Sequence, residues 1–234
     1  MDSTVAPDTP AARPIGFRPQ AVLFDMDGLM LESERVLLEC WRQSASELGL
    51  ALDDALWLSM IGVHDAASRE LLRARLEPSR ADALIRHCHA LYDGHVQAGM
   101  PLKPGVVPLL EWLAAQGVPR AVVTSTRRER ALQKLTICGL LPHFDAVVGG
   151  DEVARPKPAA DPYLLAARRL ALEPAACVVL EDSPTGVRAA LAAGMTPIQV
   201  PDLLAPDAQT RALGHRIVAS LAEAQRLLEP SLAP

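Results

Sequence analysis

Six short apolar runs, set apart by longer stretches with helical spacing, constrain this chain most. They are Ala21–Phe24, Arg120–Thr124, Ala146–Val148, Ala176–Leu180, Pro197–Val200 and Arg216–Val218. Helical patterns cover Val106–Gln116, Glu129–Cys138, Pro162–Ala171 and Gly186–Ala193. Each carries apolar residues at helix spacing and ends at or near glycine or shortly before a proline. Such alternation predicts an α/β fold, a mostly parallel sheet with helices on both faces.

Residues 32–102 break the rhythm. No convincing strand occurs there, while apolar residues recur at helical spacing: Leu37, Leu38, Trp41 and Leu48; Leu71, Leu72 and Leu76; Leu84, Ile85, Leu91 and Tyr92. The stretch predicts a small helical bundle inserted after the first strand and lying over the strand ends. The expected division is a disordered lead-in at 1–17, a core of 18–31 and 103–234, and a helical cap at 32–102.

The first strand carries the strongest chemical signal. Ala21-Val22-Leu23-Phe24 runs into Asp25-Met26-Asp27-Gly28. In an open α/β sheet such residues emerge at the carboxyl edge, where ligands bind. Two carboxylates flanking one residue suit an oxygen-loving divalent cation such as Mg²⁺, or a nucleophile beside a proton donor. On its own the pair fits an exposed acidic loop equally well.

Three later segments repeat the pattern. Thr124-Ser125-Thr126 follows the second strand and offers hydroxyls and amides to an anion, although Ser and Thr also serve as ordinary helix caps. Lys157 stands between Pro156 and Pro158 and is one of only three lysines against twenty arginines. It suits a phosphate or carboxylate, or else a solvated surface. Glu181-Asp182-Ser183 closes the strand Val178-Val179-Leu180 with a second carboxylate pair, and Asp182 or Ser183 can also cap the next helix.

The net charge of −5 gives no field that attracts nucleic acid or an anionic membrane, so an anionic substrate needs local positive charge. No apolar run approaches the roughly 20 residues of a membrane span. The N-terminus lacks the apolar stretch of a signal peptide, and a cytoplasmic location is expected. Cys40, Cys88, Cys138 and Cys177 show no ligand spacing and are expected to be buried, reduced thiols.

Carboxylate pair, hydroxyl turn, lysine and second carboxylate pair, in that order at strand ends, resemble the haloacid dehalogenase-like superfamily over Ala21 to Val200. Phe24-Asp25-Met26-Asp27-Gly28-Leu29 and Leu180-Glu181-Asp182-Ser183 look closest to its β-phosphoglucomutase-like branch. The resemblance implies a Rossmann-like core with an inserted helical cap, and a phosphatase of small phosphorylated metabolites. It implies that Asp25 is the nucleophile, Asp27 the acid and base, and Lys157 the charge stabiliser. Thr124 and Ser125 would hold the phosphoryl group. Mg²⁺ would be held by Asp25, the carbonyl of Asp27 and Asp182, with Glu181 direct or through water.

Glu32 stands where the family usually has Asp, and Ser33 follows and can cap the helix instead. Against the mutases of the branch, Leu37 falls where their first-helix histidine lies and Asp65 where a cap-loop arginine lies. The segment 32–102 also contains no lysine. A phosphatase is therefore favoured over a sugar-phosphate mutase, with a non-catalytic binding protein a more distant alternative. His64 is the cap residue expected to face the site. Asp27 argues against halide chemistry, because halide leaves without a proton. The expected partner is a small phosphorylated metabolite, with no nucleic acid or membrane, and the chain a monomer or small homo-oligomer.

Overall fold

The structure, a computed structural model, describes residues 13–60 and 65–232. Among these residues six parallel strands form one sheet: β1 (Ala21–Phe24), β2 (Arg120–Val123), β3 (Ala146–Val148), β4 (Cys177–Glu181), β5 (Thr196–Gln199) and β6 (Arg216–Ile217). Their spatial order is β3-β2-β1-β4-β5-β6, so the winding reverses between β1 and β4. That reversal leaves a crevice outside the carboxyl ends, the place where open α/β sheets bind ligands.

The period-two alternation of the strands divides the core. Val22, Phe24, Val122, Leu180 and Ile198 face one cluster, which also contains Leu109, Leu110 and Leu113 of α5 (Val106–Ala115). Leu23, Ala121, Val123 and Val179 face the other, packed on Tyr163, Ala166 and Ala167 of α7 (Asp161–Arg169) and on Ala189 and Ala190 of α8 (Pro184–Ala192). β1 is buried on both faces, which explains its uninterrupted apolar sequence.

Among the described residues, four helices lie between β1 and α5: α1 (Ser33–Glu47), α2 (Asp54–Ser59), α3 (Asp65–Arg73) and α4 (Pro78–Ala98). α1 and α4 form the main contact of this layer, with Trp41, Leu84, Ile85 and Cys88 buried, and Trp41 stacks on Trp57 at 6.3 Å. Leu48, expected on a packed face, is 36% exposed.

The chain leaves the sheet and returns to it at one place. Leu31 bridges Leu102 antiparallel, Glu32 N–H donates to the Pro101 carbonyl at 2.9 Å, and Lys103 N–H to that of Met30 at 2.9 Å. An ion cluster seals the crossing. Lys103 pairs with Glu32 at 3.0 Å and contacts Asp202, from the segment after β5, while Arg35 also bonds Glu32 at 3.0 Å. Glu32 is thus held by cations. Ser33 is the first residue of α1 and makes no capping bond, although its place in the sequence allows one.

Residues 13–17 differ from the expected loose lead-in. Ile15 is buried, its N–H donates to the Leu227 carbonyl at 3.0 Å, and Arg216 bonds the carbonyls of Arg13 and Pro14. Two helices lay outside the sequence assignment: short α9 (Ala208–Arg211), after β5, and α10 (Leu221–Leu232), which packs on α5. α6 (Arg128–Ile137) follows β2. Of the four cysteines, Cys138 is only half-buried. No described helix is long and apolar enough to cross a membrane.

Candidate active site

Lys157 is the centre around which the strand ends are arranged. Its ammonium donates to Asp25 Oδ1 at 2.6 Å, Glu181 Oε1 at 2.6 Å and the Val123 carbonyl at 2.8 Å. These acceptors lie at or just beyond the ends of β1, β4 and β2, and they use all three ammonium protons. The ring of Tyr163 lies 5.0 Å from the same nitrogen. Burial disfavours the charge on Lys157, but Asp25 and Glu181 outweigh it and raise its pKa well above the ordinary value.

Asp25 continues the β1 ladder, its N–H donating to the Leu180 carbonyl at 3.0 Å. Its side chain is not on a solvent-facing loop, since the residue is only 7% exposed. Burial pushes its carboxyl up, Lys157 opposes the shift and Glu181 reinforces it, with the balance at about 7.

Glu181, expected to meet the metal directly or through water, has both oxygens occupied by donors. Oε1 accepts from Lys157 and from the Tyr163 hydroxyl at 2.8 Å. Oε2 accepts from the Ser183 N–H at 3.0 Å and its hydroxyl at 2.9 Å. Four donors fill four lone-pair sites, so in this arrangement none is left for a direct metal bond. Burial favours the neutral form of Glu181, but Lys157 and these hydrogen bonds hold its pKa below the usual value. Ser183 is also the N-cap of α8, accepting from the Gly186 N–H at 3.0 Å.

Asp182 is in the opposite condition. Among the described residues no other side chain donates to its carboxylate, and burial, then Asp25 and Glu181, push its pKa well up. A Cβ at Gly28 would lie 2.3 Å from Asp182 Oδ2, so the carboxylate needs a glycine there. Gly28 has φ +83°, a left-handed turn that glycine adopts without strain.

Asp27 is held by Lys134, which the sequence-derived site lacks, and by Thr126 of the hydroxyl turn. Lys134 on α6 donates to Oδ1 at 2.7 Å, and the Thr126 hydroxyl to Oδ2 at 2.7 Å. Burial raises the Asp27 pKa, but Lys134 and these bonds outweigh it and leave the carboxyl below its ordinary value. The Tyr92 hydroxyl on α4 accepts from Lys134 at 2.9 Å. Tyr92, expected to mark a packed helix face, therefore reaches the site.

Thr124 is 2% exposed and its hydroxyl accepts from the Thr126 N–H at 3.0 Å, while Ser125 is exposed. Neither hydroxyl caps α6, whose N-cap is Arg127. His64 lies outside the described residues, as does the side chain of Asp65.

Asp25, Asp27, Thr124, Ser125, Lys157 and Asp182 all line one cavity of about 950 Å³ between the strand ends and the helical layer. Leu37, His89, Tyr92 and Asp93 form part of its far wall. Asp25, Asp27, Glu181 and Asp182 bring four carboxylates against the two ammoniums of Lys134 and Lys157, leaving two negative charges when all are ionised. Among the described residues no side chain donates to the Asp182 carboxylate, and Asp25 keeps one oxygen free of Lys157, so the donor set is oxygen-rich and short of positive charge. Both properties fit a hard divalent cation such as Mg²⁺. Among the described residues, no three His, Cys, Asp or Glu side chains form a ready-made metal cage, so backbone and substrate oxygens would complete the coordination.

Comparison with known proteins agrees with this geometry. The chain is 35% identical over 188 residues to fructose-1-phosphate phosphatase YqaB of Escherichia coli K12, covering 78% of this chain and 97% of that one. It is 33% identical over 179 residues to a phosphorylated carbohydrates phosphatase of Thermotoga maritima, covering 75% of this chain and 82% of the other. The crystal structure of a HAD family hydrolase from Deinococcus radiodurans R1, with bound phosphate and sodium, superposes with a TM-score of 0.76 at 32% identity. That match covers 92% of this chain and 96% of that one. The haloacid dehalogenase-like hydrolase family profile matches residues 19–194, from just before β1 to just before β5. This chain therefore belongs to the haloacid dehalogenase-like hydrolases.

Proposed function

We propose that the protein is a Mg²⁺-dependent phosphatase of a small phosphorylated metabolite, a sugar phosphate or similar, working through an aspartyl-phosphate on Asp25. The observation that carries this reading is Lys157 drawing the ends of β1, β2 and β4 onto one ammonium, with Asp25 presented to the cavity. Phosphoryl transfer depends on alignment and charge neutralisation, which this arrangement provides. The relatives named for phosphorylated carbohydrates and the phosphate in the Deinococcus structure support the substrate class.

The oxygen of Asp25 not held by Lys157 attacks phosphorus as the bond to the leaving oxygen breaks. Asp27 gives that oxygen its proton. For this step Asp27 must first be protonated, which an arriving phosphate dianion favours by raising its pKa. Asp27, again ionised, then takes a proton from water; the water oxygen bonds to phosphorus and the bond to Asp25 breaks. Thr124 and neighbouring amides hold the phosphoryl oxygens, and Lys157 offsets their charge. Asp25, the Asp27 carbonyl and Asp182 would hold Mg²⁺, which when bound would further neutralise the phosphoryl group; Glu181 keeps Lys157 in place.

The helices between β1 and α5 act as a cap that closes over the organic part of the substrate. Leu37 brings no proton-carrying or charged group to the cavity wall, and Arg130 is already paired with Asp93. Neither supports a grip on a second phosphate, so hydrolysis is favoured over mutase chemistry. With β-glucose 1-phosphate, inorganic phosphate is the expected product. Primed formation of glucose 6-phosphate faster than phosphate release would overturn this reading.

With p-nitrophenyl phosphate, turnover is expected to stop in excess EDTA and return with Mg²⁺. Asp27→Asn should still become phosphorylated, because nitrophenolate needs little protonation. Hydrolysis of the phospho-enzyme should slow by about 10²–10⁴-fold, giving one nitrophenol per site in a burst. Slow linear release with no phospho-enzyme by mass spectrometry would remove Asp27 from the second step.

A further inference from the structure

We infer that Lys134 is the positioning residue for Asp27, and that Tyr92 makes its placement depend on the seating of α4 against the sheet. This inference rests on the proposed roles of Asp25 and Asp27. Lys134 is 4% exposed and is buried on α6 together with Ala131 and Leu135. Burying an ammonium is costly unless its partners are fixed, and Lys134 has two. They come from different parts of the fold: Asp27 just beyond β1 at 2.7 Å, and the Tyr92 hydroxyl from α4 at 2.9 Å, with the Tyr92 ring 5.2 Å from the ammonium.

The consequence for Asp27 is geometric. Thr126 holds one of its oxygens and Lys134 the other, which fixes both the rotation of the carboxylate and its distance from Asp25. Loss of the Lys134 bond leaves Oδ1 without that donor and the carboxylate freer to turn. A general base misplaced by about 1 Å loses a large part of its effect. Tyr92 anchors Lys134 from the far side of the cavity, so docking of the helical layer and the aiming of Asp27 become a single packing event.

Lys134→Met tests this. It keeps the length and packing of the stem and removes the donor. In rapid mixing with p-nitrophenyl phosphate, Asp25 should be phosphorylated at close to the native rate. Hydrolysis of the aspartyl-phosphate should slow by about 10–10²-fold, part of the full general-base contribution. Asp27→Asn combined with Lys134→Met should be no slower than Asp27→Asn alone to within a few-fold, because both act through one group. Tyr92→Phe, which removes only the hydroxyl, should slow the same step by less and serves if Lys134→Met does not fold.

Native hydrolysis rates in Lys134→Met, or in Tyr92→Phe if that is the variant available, would overturn the inference while leaving the phosphatase reading intact. Losses that multiply in the double variant would do so too. A native protein that forms no phospho-enzyme would sink the phosphatase reading itself.

Discussion

Asp25→Asn is expected to abolish turnover and to leave a metal-free protein more heat-stable than the native chain at neutral pH. The amide oxygen can still accept from Lys157, so the packing persists, but the neutral side chain cannot attack phosphorus. Stability should rise because ionised Asp25 is an unfavourable charge in a site with more carboxylates than ammoniums. Its folded pKa is raised to about 7 from 3.8. The stability this proton contributes is fully present below about pH 4 and is lost as pH rises through about 7. Asn has no such loss.

In EDTA, the variant's advantage in thermal midpoint should therefore be small at pH 4 and grow to several degrees by pH 8, a gap on the order of a few kcal/mol. Asp182 shifts in the same direction, and Asp27 and Glu181 in the opposite one, but all three remain in both proteins. Asp25 is one of the charges that raise Asp182, so the calorimetric gap reports the loss of the Asp25 carboxylate together with the relief of Asp182, both of which widen it as pH rises. A gap that is flat or narrows with pH, or activity above a few per cent, would contradict this account.

Gly186→Ala should be nearly as damaging, though residue 186 makes no contact with substrate in the mechanism proposed here. A Cβ there would fall 1.6 Å from Glu181 Oε1 and 1.9 Å from its Cδ. Glu181 must move, and its bonds to Lys157, Tyr163 and Ser183 cannot all survive. Disrupting a buried ion pair costs about 3–5 kcal/mol, whereas Ala for Gly inside a helix would by itself gain about 1 kcal/mol. The expected result is a lower thermal midpoint and at least about a hundredfold loss of kcat. Gly94, on α4, is the control: a Cβ there meets nothing within 4 Å, so Gly94→Ala should be neutral or stabilising. Equal behaviour of the two variants would show that the Glu181 platform is not rigid.

The sequence made the strands legible because a buried parallel strand is an apolar run whatever its neighbours. β1 and β3 fall where the pattern places them, and the others differ by a residue at one end or both. Spatial order was not legible, because β1 meets β4 only after more than a hundred intervening residues. α10 was within reach: Leu221, Ala224, Leu228 and Leu232 recur at helical spacing.

Within the site, acids at strand ends announced themselves, but Lys134 and Tyr92 did not. Each sits inside an amphipathic helix, where a polar residue reads as solvent-facing until tertiary packing turns it inward. Glu181 shows a different limit, since residue type and position mark a carboxylate without telling whether its lone pairs are free. Four donors from three residues close by in sequence or fold (Tyr163, Lys157 and Ser183) decided that.

The paired crossings at Leu31 and Leu102 make the four-helix segment separable by design. Its two ends are hydrogen-bonded neighbours, so a replacement of any length meets the same pair of attachment points, and the entropy of closing it grows only slowly with length. The sheet ladders run between β1 and its neighbours without passing through the insert, so Asp25 and Lys157 would keep their register. A library of grafted helical segments, bounded by residues 31 and 102, could therefore vary which molecules are admitted while the bond-breaking apparatus stays constant. Two contacts would have to travel with any graft: the Glu32–Lys103 clasp and a hydroxyl able to meet Lys134.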